Sequence, residues 1–269
     1  MNEKNEIIDK IMREENIEYF GMIDYDLVRP YLLKKHRSIK LIPDNAKSII
    51  SMIFPYKVKI NNKNLSIYAC VKDYHIVVKK ILNNICEKLK NCFNGNAFVP
   101  FVDSSPIPEV YVAAICGLGV VGDNNLLINP KYGSFVFIAE IVTDLNLSST
   151  NILEKPRTCL HCGKCKEACP GSALRETFNI DRCSSHISQK KGPLSDEELY
   201  IMKRSKSIWG CDICQEVCPL NEGSEYTKIE EFRNSIVNII NFDNYNELDD
   251  RAYLWRPKSI VRNMELLKE

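Results

Sequence analysis

Eight of the twelve cysteines have the spacing of ligands for a metal cluster. The first group reads Cys159-x2-Cys162-x2-Cys165-x3-Cys169-Pro170, and the second contains Cys183 followed by Cys211-x2-Cys214-x3-Cys218-Pro219. Two-residue spacers let one tight loop present three thiolates, while a fourth comes from elsewhere in the chain. The pattern therefore predicts two [4Fe–4S] clusters and a role in electron transfer or redox catalysis.

The cysteine before each proline is expected to cross to the other cluster, as in two-cluster ferredoxins. The predicted ligand sets are Cys159, Cys162, Cys165 and Cys218 for one cluster, and Cys183, Cys211, Cys214 and Cys169 for the other. Structural zinc also uses cysteine pairs, but it requires neither the third cysteine nor the one before proline. With eight ligands assigned, His161 and His186 are expected to be supporting or surface residues. Ile180, Ile208 and Trp209 are expected to shield the clusters from water.

Composition and charge describe an ordinary soluble protein. The 269 residues are 45% hydrophobic and 26% charged, and the net charge of +1 provides no strong overall field to attract nucleic acid. The charged N-terminus lacks the apolar core of a signal peptide, and no apolar run is long enough to span a membrane. A reduced, cytoplasmic compartment fits twelve cysteines best. The four cysteines outside the motif are expected to be small buried apolar residues: Cys70, Cys86, Cys92 and Cys116.

Hydrophobic periodicity predicts a chain of mixed helices and strands. Helices are expected at 3–15, 24–35, 73–93 and 107–116, and strands at 17–23, 47–55, 96–102, 126–129 and 134–142. The last two strands are joined by a turn at 129–133, as in a hairpin. The predicted fold class is α+β, with a mixed α/β domain at 1–150, a two-cluster ferredoxin-like domain at 151–222 and a charged tail at 223–269.

Several ordered motifs resemble epoxyqueuosine reductases, a family related to reductive dehalogenases. They are YACVKDYH at 68–75, FVDSSPIPE at 101–109, AAICGLGVVGDNNLLINPKYGSFVFIAEIVTDL at 113–145 and GCDICQEVCPLN at 210–221. The resemblance implies reduction of the epoxide of epoxyqueuosine in tRNA to an alkene, with cobalamin and two [4Fe–4S] clusters. It also implies that the N-terminal domain binds cobalamin, and that an external donor of the flavodoxin or ferredoxin type supplies electrons to a monomer.

The resemblance also implies roles for individual residues. Asp103 matches the family's proposed proton donor, and His75 matches a histidine that contacts cobalamin or substrate. Gly117, Gly119 and Gly122 match glycines that let backbone approach a flat macrocycle. Asp103 follows an apolar strand, so we expect a pocket that favours its neutral form. The alternatives are local: Asp103 caps the turn before Pro106, and Asp73 caps the following helix.

The same glycines spell G-x-G-x-x-G, a dinucleotide-binding pattern. That use requires a preceding strand and a following helix. Here a predicted helix precedes the glycines and a strand follows them, so NAD binding is not expected.

Three substitutions and one missing segment depart from the family. Val110 replaces a usual arginine, Val120 a tryptophan and Asp123 a lysine, and the chain is not expected to contain the family's C-terminal helical-repeat domain. The lost positive charges weaken the prediction that the chain binds tRNA, since phosphate contacts dominate affinity for nucleic acids. A basic–aromatic cluster in the tail either binds RNA or packs on the ferredoxin-like domain. Its members are Arg251, Tyr253, Trp255, Arg256, Lys258 and Arg262.

Two further functions compete with the one that the resemblance implies. The same redox machinery can act on another small molecule or a nucleoside, or the chain can be an electron carrier that is not an enzyme. Bound corrinoid separates the enzymes from the carrier, and activity on tRNA separates the two enzymes.

Overall fold

The computed structural model describes residues 3–150, 152–247 and 249–268. Its strands are β1 Phe20–Asp24, β2 Ser48–Pro55, β3 Phe98–Val102, β4 Val120–Val121, β5 Leu127–Ile128 and β6 Val136–Thr143. Its α-helices are α1 Glu3–Glu14, α2 Tyr25–Val28, α3 Ile67–Cys70, α4 Tyr74–Cys92, α5 Glu109–Ile115, α6 Lys164–Ala168, α7 Ser184–Gln189, α8 Asp196–Ser205, α9 Ile213–Glu216, α10 Glu230–Arg233 and α11 Pro257–Leu266. Five short 3-10 helices lie at Arg29–Tyr31, Arg37–Leu41, Ile180–Arg182, Pro219–Asn221 and Ala252–Trp255.

The described residues form two compact units, each built from interleaved segments. Unit 1 comprises Met1–Phe54, His75–Val121 and Val136–Cys159, and unit 2 comprises Pro55–Tyr74, Gly122–Phe135 and Leu160–Glu269. The domain boundaries expected from the sequence stay a prediction.

Unit 1 is organised around a four-stranded sheet in the order β1-β2-β6-β3. β2 is buried from Ser48 to Phe54, as expected of a central strand covered on both faces. β3 pairs antiparallel with β6, with Phe101 opposite Glu140. Because β6 lies between β2 and β3, the predicted hairpin of β6 with the strand at 126–129 is wrong. The intervening turn instead closes on itself through Asn129 and Gly133.

Two amphipathic helices of unit 1 follow the predicted periodicity. α1 buries Ile8, Ile11 and Met12, and α4 buries an apolar stripe: Val77, Val78, Leu82, Ile85, Cys86 and Leu89. The helix predicted at 24–35 is wrong beyond its first turn. α2 ends at Val28 because Pro30 has no backbone N–H with which to continue the helical hydrogen bonds, and a 3-10 helix follows.

Unit 2 contains a core formed by distant parts of the sequence. Its buried residues are Leu65, Ala69, Cys70, Ile208, Trp209, Ile240, Tyr253, Ile260 and Met264. A smaller cluster of Ile187, Ile201 and Met202 joins α7 to α8. A capping box between Ser195 and Glu198 begins α8. The packing fixes the loops that carry seven of the eight motif cysteines. Among the described residues, no helix is both long and apolar enough to cross a membrane.

Candidate active site and cluster-binding cysteines

The structure brings together the two polar residues singled out in unit 1. Asp103 directly follows β3, and His75 lies in the first turn of α4. The Nε2 atom of His75 lies 3.3 Å from Oδ2 of Asp103. Asp103 has a left-handed backbone with φ of 58°, which aspartate tolerates better than most residues. The strand end and the helix start therefore present an acid–histidine pair.

The environment of Asp103 differs from the expected apolar pocket. Its side chain is 59% exposed, whereas that of His75 is 25% exposed. The neighbouring Phe101 is buried, but the left-handed turn at Asp103 ends the strand that carries it. The prediction of an apolar pocket around Asp103 is therefore wrong in this structure, and its carboxylate is open to solvent and to a ligand.

Two further carboxyl groups lie close to Asp103 in unit 1, that of the half-buried Glu109 and that of Glu140. Glu140 is fully buried in β6. Neither of its carboxyl oxygens, nor Oε1 of Glu109, has a hydrogen-bond partner among the described residues. Burial and then the charge of Asp103 raise the pKa of Glu109 to about 8. Burial and the charge of Glu109 hold the pKa of Glu140 well above its ordinary range. Both groups therefore carry protons at neutral pH.

The acidic roles of these two glutamates were not predicted from the sequence. Glu109 lies in the motif that contains Asp103, and Glu140 interrupts an otherwise apolar strand. The position of Glu140 inside an apolar strand could have indicated a functional acid, because glutamate is rarely buried without a special role.

The three glycines of the motif have different structural roles. Gly117 follows α5 with φ of 76° and is exposed, and its N–H donates to the carbonyl of Ala114. Gly117 lies directly after position 116, where the predicted helix ends, and its left-handed backbone terminates the helix. Gly119 is partly buried. Gly122 is buried, and a Cβ there would lie 2.2 Å from Oδ1 of Asn124, so a larger residue would displace that side chain.

Asp123, which replaces a lysine that is usual in the family, contacts two basic side chains of unit 2. Oδ1 of Asp123 lies 2.7 Å from Nδ1 of His161, and Oδ2 lies 3.3 Å from Nζ of Lys166. Although burial acts in the opposite direction, these contacts hold the pKa of Asp123 below its usual value. His161 and His186 are both exposed, as expected for residues outside the ligand set.

Four cysteines predicted for one cluster are neighbours in unit 2. Burial raises the pKa of Cys211 to about 12, with further contributions from Cys183 and Cys169. Burial also raises the pKa of Cys214, and the nearby Cys211, Cys183 and Cys169 raise it further. The backbone N–H of Ala173 donates to Sγ of Cys169 at 3.3 Å. Four crowded thiols cannot all ionise unless a cation compensates their charge, so their arrangement fits a metal cluster.

The cysteines predicted for the other cluster have more varied surroundings. Cys165 is buried in α6, Cys162 is exposed, and Cys159 and Cys218 are half-buried. α6 packs against α9, which carries Cys214. Cys218 lines a cavity of about 440 Å³ together with Lys57, Lys164, Phe135 and Asn221. Cys159, Cys162 and Cys165 do not line this cavity.

Three arginines of the tail are held by backbone carbonyls within unit 2, whereas Lys258 is exposed. Nη1 of Arg251 donates to the carbonyls of Cys70 and Ser235. Arg256 donates to the carbonyl of Gln189, and Arg262 to those of Lys190 and Gly192. Tyr253 is fully buried. Two roles were expected for the basic–aromatic residues of the tail: RNA binding or packing on the ferredoxin-like domain. The contacts of the arginines and of Tyr253 support packing.

Two other expectations about buried residues are wrong. Cys92, at the end of α4, is exposed, whereas Cys70, Cys86 and Cys116 are buried. Ile180 is 51% exposed, whereas Ile208 and Trp209 are buried in the core of unit 2. Cys92 is the last residue of α4, and Ile180 is the first residue of a 3-10 helix. At the end of a helix, the hydrophobic pattern of the sequence is a poor guide to which residues are buried.

Comparison with known proteins identifies both parts of the chain. Residues 158–221 match the family model for a 4Fe-4S double cluster binding domain, so the chain has the binding domain for the two predicted clusters. Residues 37–104 match the model described as epoxyqueuosine reductase QueG, DUF1730.

Known relatives match almost the whole chain. An epoxyqueuosine reductase of Cyclobacterium marinum is 33% identical, and the alignment covers 94% of this chain and 85% of the relative. The structure of epoxyqueuosine reductase from Streptococcus thermophilus is 27% identical with a TM-score of 0.79, covering 99% of this chain and 81% of that one. An epoxyqueuosine reductase bound to an epoxyqueuosine-modified stem loop of tRNA-Tyr is 26% identical with a TM-score of 0.79, covering 98% and 80%. The predicted mixed fold is confirmed, and the chain belongs to the epoxyqueuosine reductase family.

Proposed function

We propose that this protein reduces epoxyqueuosine in tRNA to queuosine, with Asp103 as the proton donor. The observation that carries the proposal is the 3.3 Å contact between His75 and Asp103 in a chain of this family. Asp103 is open to a ligand, while His75 contacts it from the start of α4. An acid available to substrate and supported by a second proton-binding group is what general acid catalysis requires.

The stoichiometry of the reaction calls for two protons. Converting an epoxide to an alkene breaks both carbon–oxygen bonds, consumes two electrons and two protons, and releases the oxygen as water. Asp103 protonates the departing oxygen, and the His75 imidazole, whose Nε2 lies 3.3 Å from Oδ2 of Asp103, returns a proton to Asp103. Glu109 carries a proton at neutral pH because its pKa is about 8, and it interacts with Asp103. It is the second proton store in our proposal.

The clusters are assigned to the cysteines by the crossed pattern. One is held by Cys183, Cys211, Cys214 and Cys169, and the other by Cys159, Cys162, Cys165 and Cys218. The proximity of the first four thiols supports this assignment. When bound, the clusters supply electrons one at a time. We expect an external flavodoxin or ferredoxin to reduce a monomeric enzyme.

Cobalamin is the proposed carrier of those electrons to the substrate. Gly117 fits such a ligand because its left-handed backbone is exposed and carries no side chain. Gly119, Gly122 and His75 complete the set assigned by family resemblance. When bound, cobalamin would supply electrons for the reduction, while Asp103 and His75 would hold and transfer the protons. Titration of the reconstituted protein with cobalamin should change the visible spectrum of the corrinoid, and an unchanged spectrum at saturation would contradict the assignment.

Activity is tested by anaerobic reconstitution with iron, sulfide and cobalamin, followed by reaction with epoxyqueuosine-containing tRNA and a low-potential reductant. Nucleoside analysis by mass spectrometry should show queuosine formation. A parallel reaction with the free epoxyqueuosine nucleoside measures whether tRNA is needed. Reduction of the nucleoside but not the tRNA would contradict the proposed substrate.

A further inference from the structure

A strongly basic segment lies on the surface of unit 1. Residues 29–41, here called the basic segment, contain Arg29, Lys34, Lys35, Arg37 and Lys40, all exposed. The sequence contains no acidic residue between Asp26 and Asp44. Arg29 pairs with Asp26, whereas Lys34, Lys35, Arg37 and Lys40 have no ion-pair partner among the described residues. In a chain of net charge +1, this is a local excess of positive charge.

The basic segment also exposes large apolar and aromatic side chains. Tyr31 is 55% exposed, and Leu33 and Leu41 are each 54% exposed. Val28 and Leu32 are buried and anchor the segment on unit 1. Buried anchors combined with exposed aromatic and basic groups are typical of a surface that binds unstacked bases and phosphates.

Two contacts attach the basic segment to the loop that carries Asp103, and a third attaches it to α5, the helix that follows this loop. The N–H of Leu33 donates to the carbonyl of Pro106 at 2.8 Å. Nη2 of Arg37 donates to Oγ of Ser104 at 3.2 Å. The rings of Tyr31 and Tyr111 lie with centroids 4.9 Å apart. The positive surface therefore directly adjoins the proposed proton donor.

We propose that the basic segment is the docking surface for the RNA that carries the substrate nucleoside. The inference rests on the proposed function, because we choose RNA as the partner on the ground that the basic segment lies beside Asp103, the proposed proton donor. Lys34, Lys35 and Lys40 bind phosphates flanking the modified nucleotide, and Tyr31 stacks on a neighbouring unpaired base. Arg37 links the phosphate contacts to the Asp103 loop through Ser104.

An acidic protein, such as an electron donor, is a competing partner for a basic surface. The aromatic and apolar side chains and the attachment to the Asp103 loop favour RNA. In the tail, Arg251, Arg256 and Arg262 donate to backbone carbonyls of unit 2, so these three guanidinium groups are less available to phosphates.

The test compares two triple variants of the reconstituted full chain. K34A/K35A/K40A removes three charges from the basic segment. The matched control, K10A/K79A/K90A, removes three exposed lysines from α1 and α4 of the same unit. Binding of an unmodified tRNA anticodon stem-loop is measured by fluorescence anisotropy over a range of salt concentrations. Iron content and thermal midpoint verify that both variants are folded.

The basic-segment variant should bind the stem-loop about 10–100-fold more weakly at 100 mM salt than the control does. The slope of log affinity against log salt should become shallower by about 2–3, since each lost phosphate contact contributes about 0.7–0.9. Equal affinities and slopes for the two variants would overturn the inference, as would an absence of RNA binding by the native protein.

A second variant separates stacking from charge. Tyr31→Leu should weaken binding about tenfold or more, as expected for loss of one base-stacking contact, without changing the salt slope. An unchanged affinity would remove Tyr31 from the proposed surface.

The two proposals fail in distinguishable ways, because RNA binding is measured without turnover. If the native protein binds RNA through the basic segment but forms no queuosine, the proposed function fails alone. If it forms queuosine but the triple variant keeps native affinity, the docking inference fails alone. If the triple variant keeps RNA affinity and loses activity only with a protein electron donor, the segment docks that donor and the inference is wrong.

Discussion

The Nε2 atom of His75 lies 3.3 Å from Oδ2 of Asp103, although the two residues are 28 positions apart. The contact joins the first turn of α4 to the end of β3 and places a second proton-binding group behind an exposed acid. A contact of this kind can hold the carboxyl group in one orientation and restore its proton after each turnover.

Replacing His75 tests this positioning role. His75→Gln should lower kcat about 10–100-fold with little change in KM, because a hydrogen bond to a charged group contributes about 1.5–3 kcal/mol. Steady-state kinetics on epoxyqueuosine-containing tRNA measure both constants. His186→Gln, which changes an exposed histidine, is the control and should behave as native. A rise in KM with unchanged kcat would show that His75 only binds substrate.

Burial of Glu109 predicts a pH-dependent stability. Its folded pKa of about 8 exceeds the unfolded value of 4.5, so the folded state binds the proton more tightly. The resulting stabilisation is complete below about 4.5 and is lost as pH rises to about 8. Glu109→Gln should reduce this pH dependence in anaerobic denaturant titrations, without abolishing it because Glu140 also titrates. Identical pH profiles for variant and native protein would contradict the assignment.

The same variant tests the supply of the second proton. Glu109→Gln keeps the side-chain shape but cannot release a proton, so kcat should fall about 10²-fold, the lower end for a general acid. Rapid-mixing measurements at fixed pH provide the rate. Native turnover by a folded Glu109→Gln protein would assign proton supply to His75 alone.

The crossed cluster assignment is tested by pairs of cysteine variants. Cys169→Ser and Cys183→Ser should each lower iron from about eight to about four atoms per chain and leave the same residual electron paramagnetic resonance spectrum. Cys218→Ser should instead leave the spectrum of the cluster that Cys169 and Cys183 help to bind. Cys92→Ser changes an exposed cysteine outside the motif and should retain about eight iron atoms. A spectrum shared by Cys183→Ser and Cys218→Ser would mean that the ligands do not cross.

The sequence predicted those features that depend only on residues close together in the chain. The stripe on α4, the buried strand β2 and the glycine after α5 depend on periodicity, apolar runs and left-handed backbone. The cysteine spacing likewise predicted a cluster domain, because ligand geometry restricts the spacers. Pro30 was a local signal as well, and it explains the early end of α2.

Other features depend on which distant segments pack together. The position of β6 between β2 and β3 excludes a hairpin that the turn at 129–133 favoured. The exposure of Asp103 and the burial of Glu109 depend on the packing of β3, β6 and α5. The sequence pattern around Asp103 carries no information about that packing. The positive charge of the basic segment was visible in the sequence, but its attachment to the Asp103 loop was not.

The most direct test of the account compares Asp103→Asn with the native protein in queuosine formation. Both proteins are reconstituted anaerobically, and the variant should retain about eight iron atoms and bind cobalamin like the native protein. With epoxyqueuosine-containing tRNA and excess reductant, we expect the variant to form queuosine about 10²–10⁴-fold more slowly, the usual contribution of a general acid. Formation at the native rate by a fully loaded variant would show that Asp103 is not the proton donor and would contradict the account.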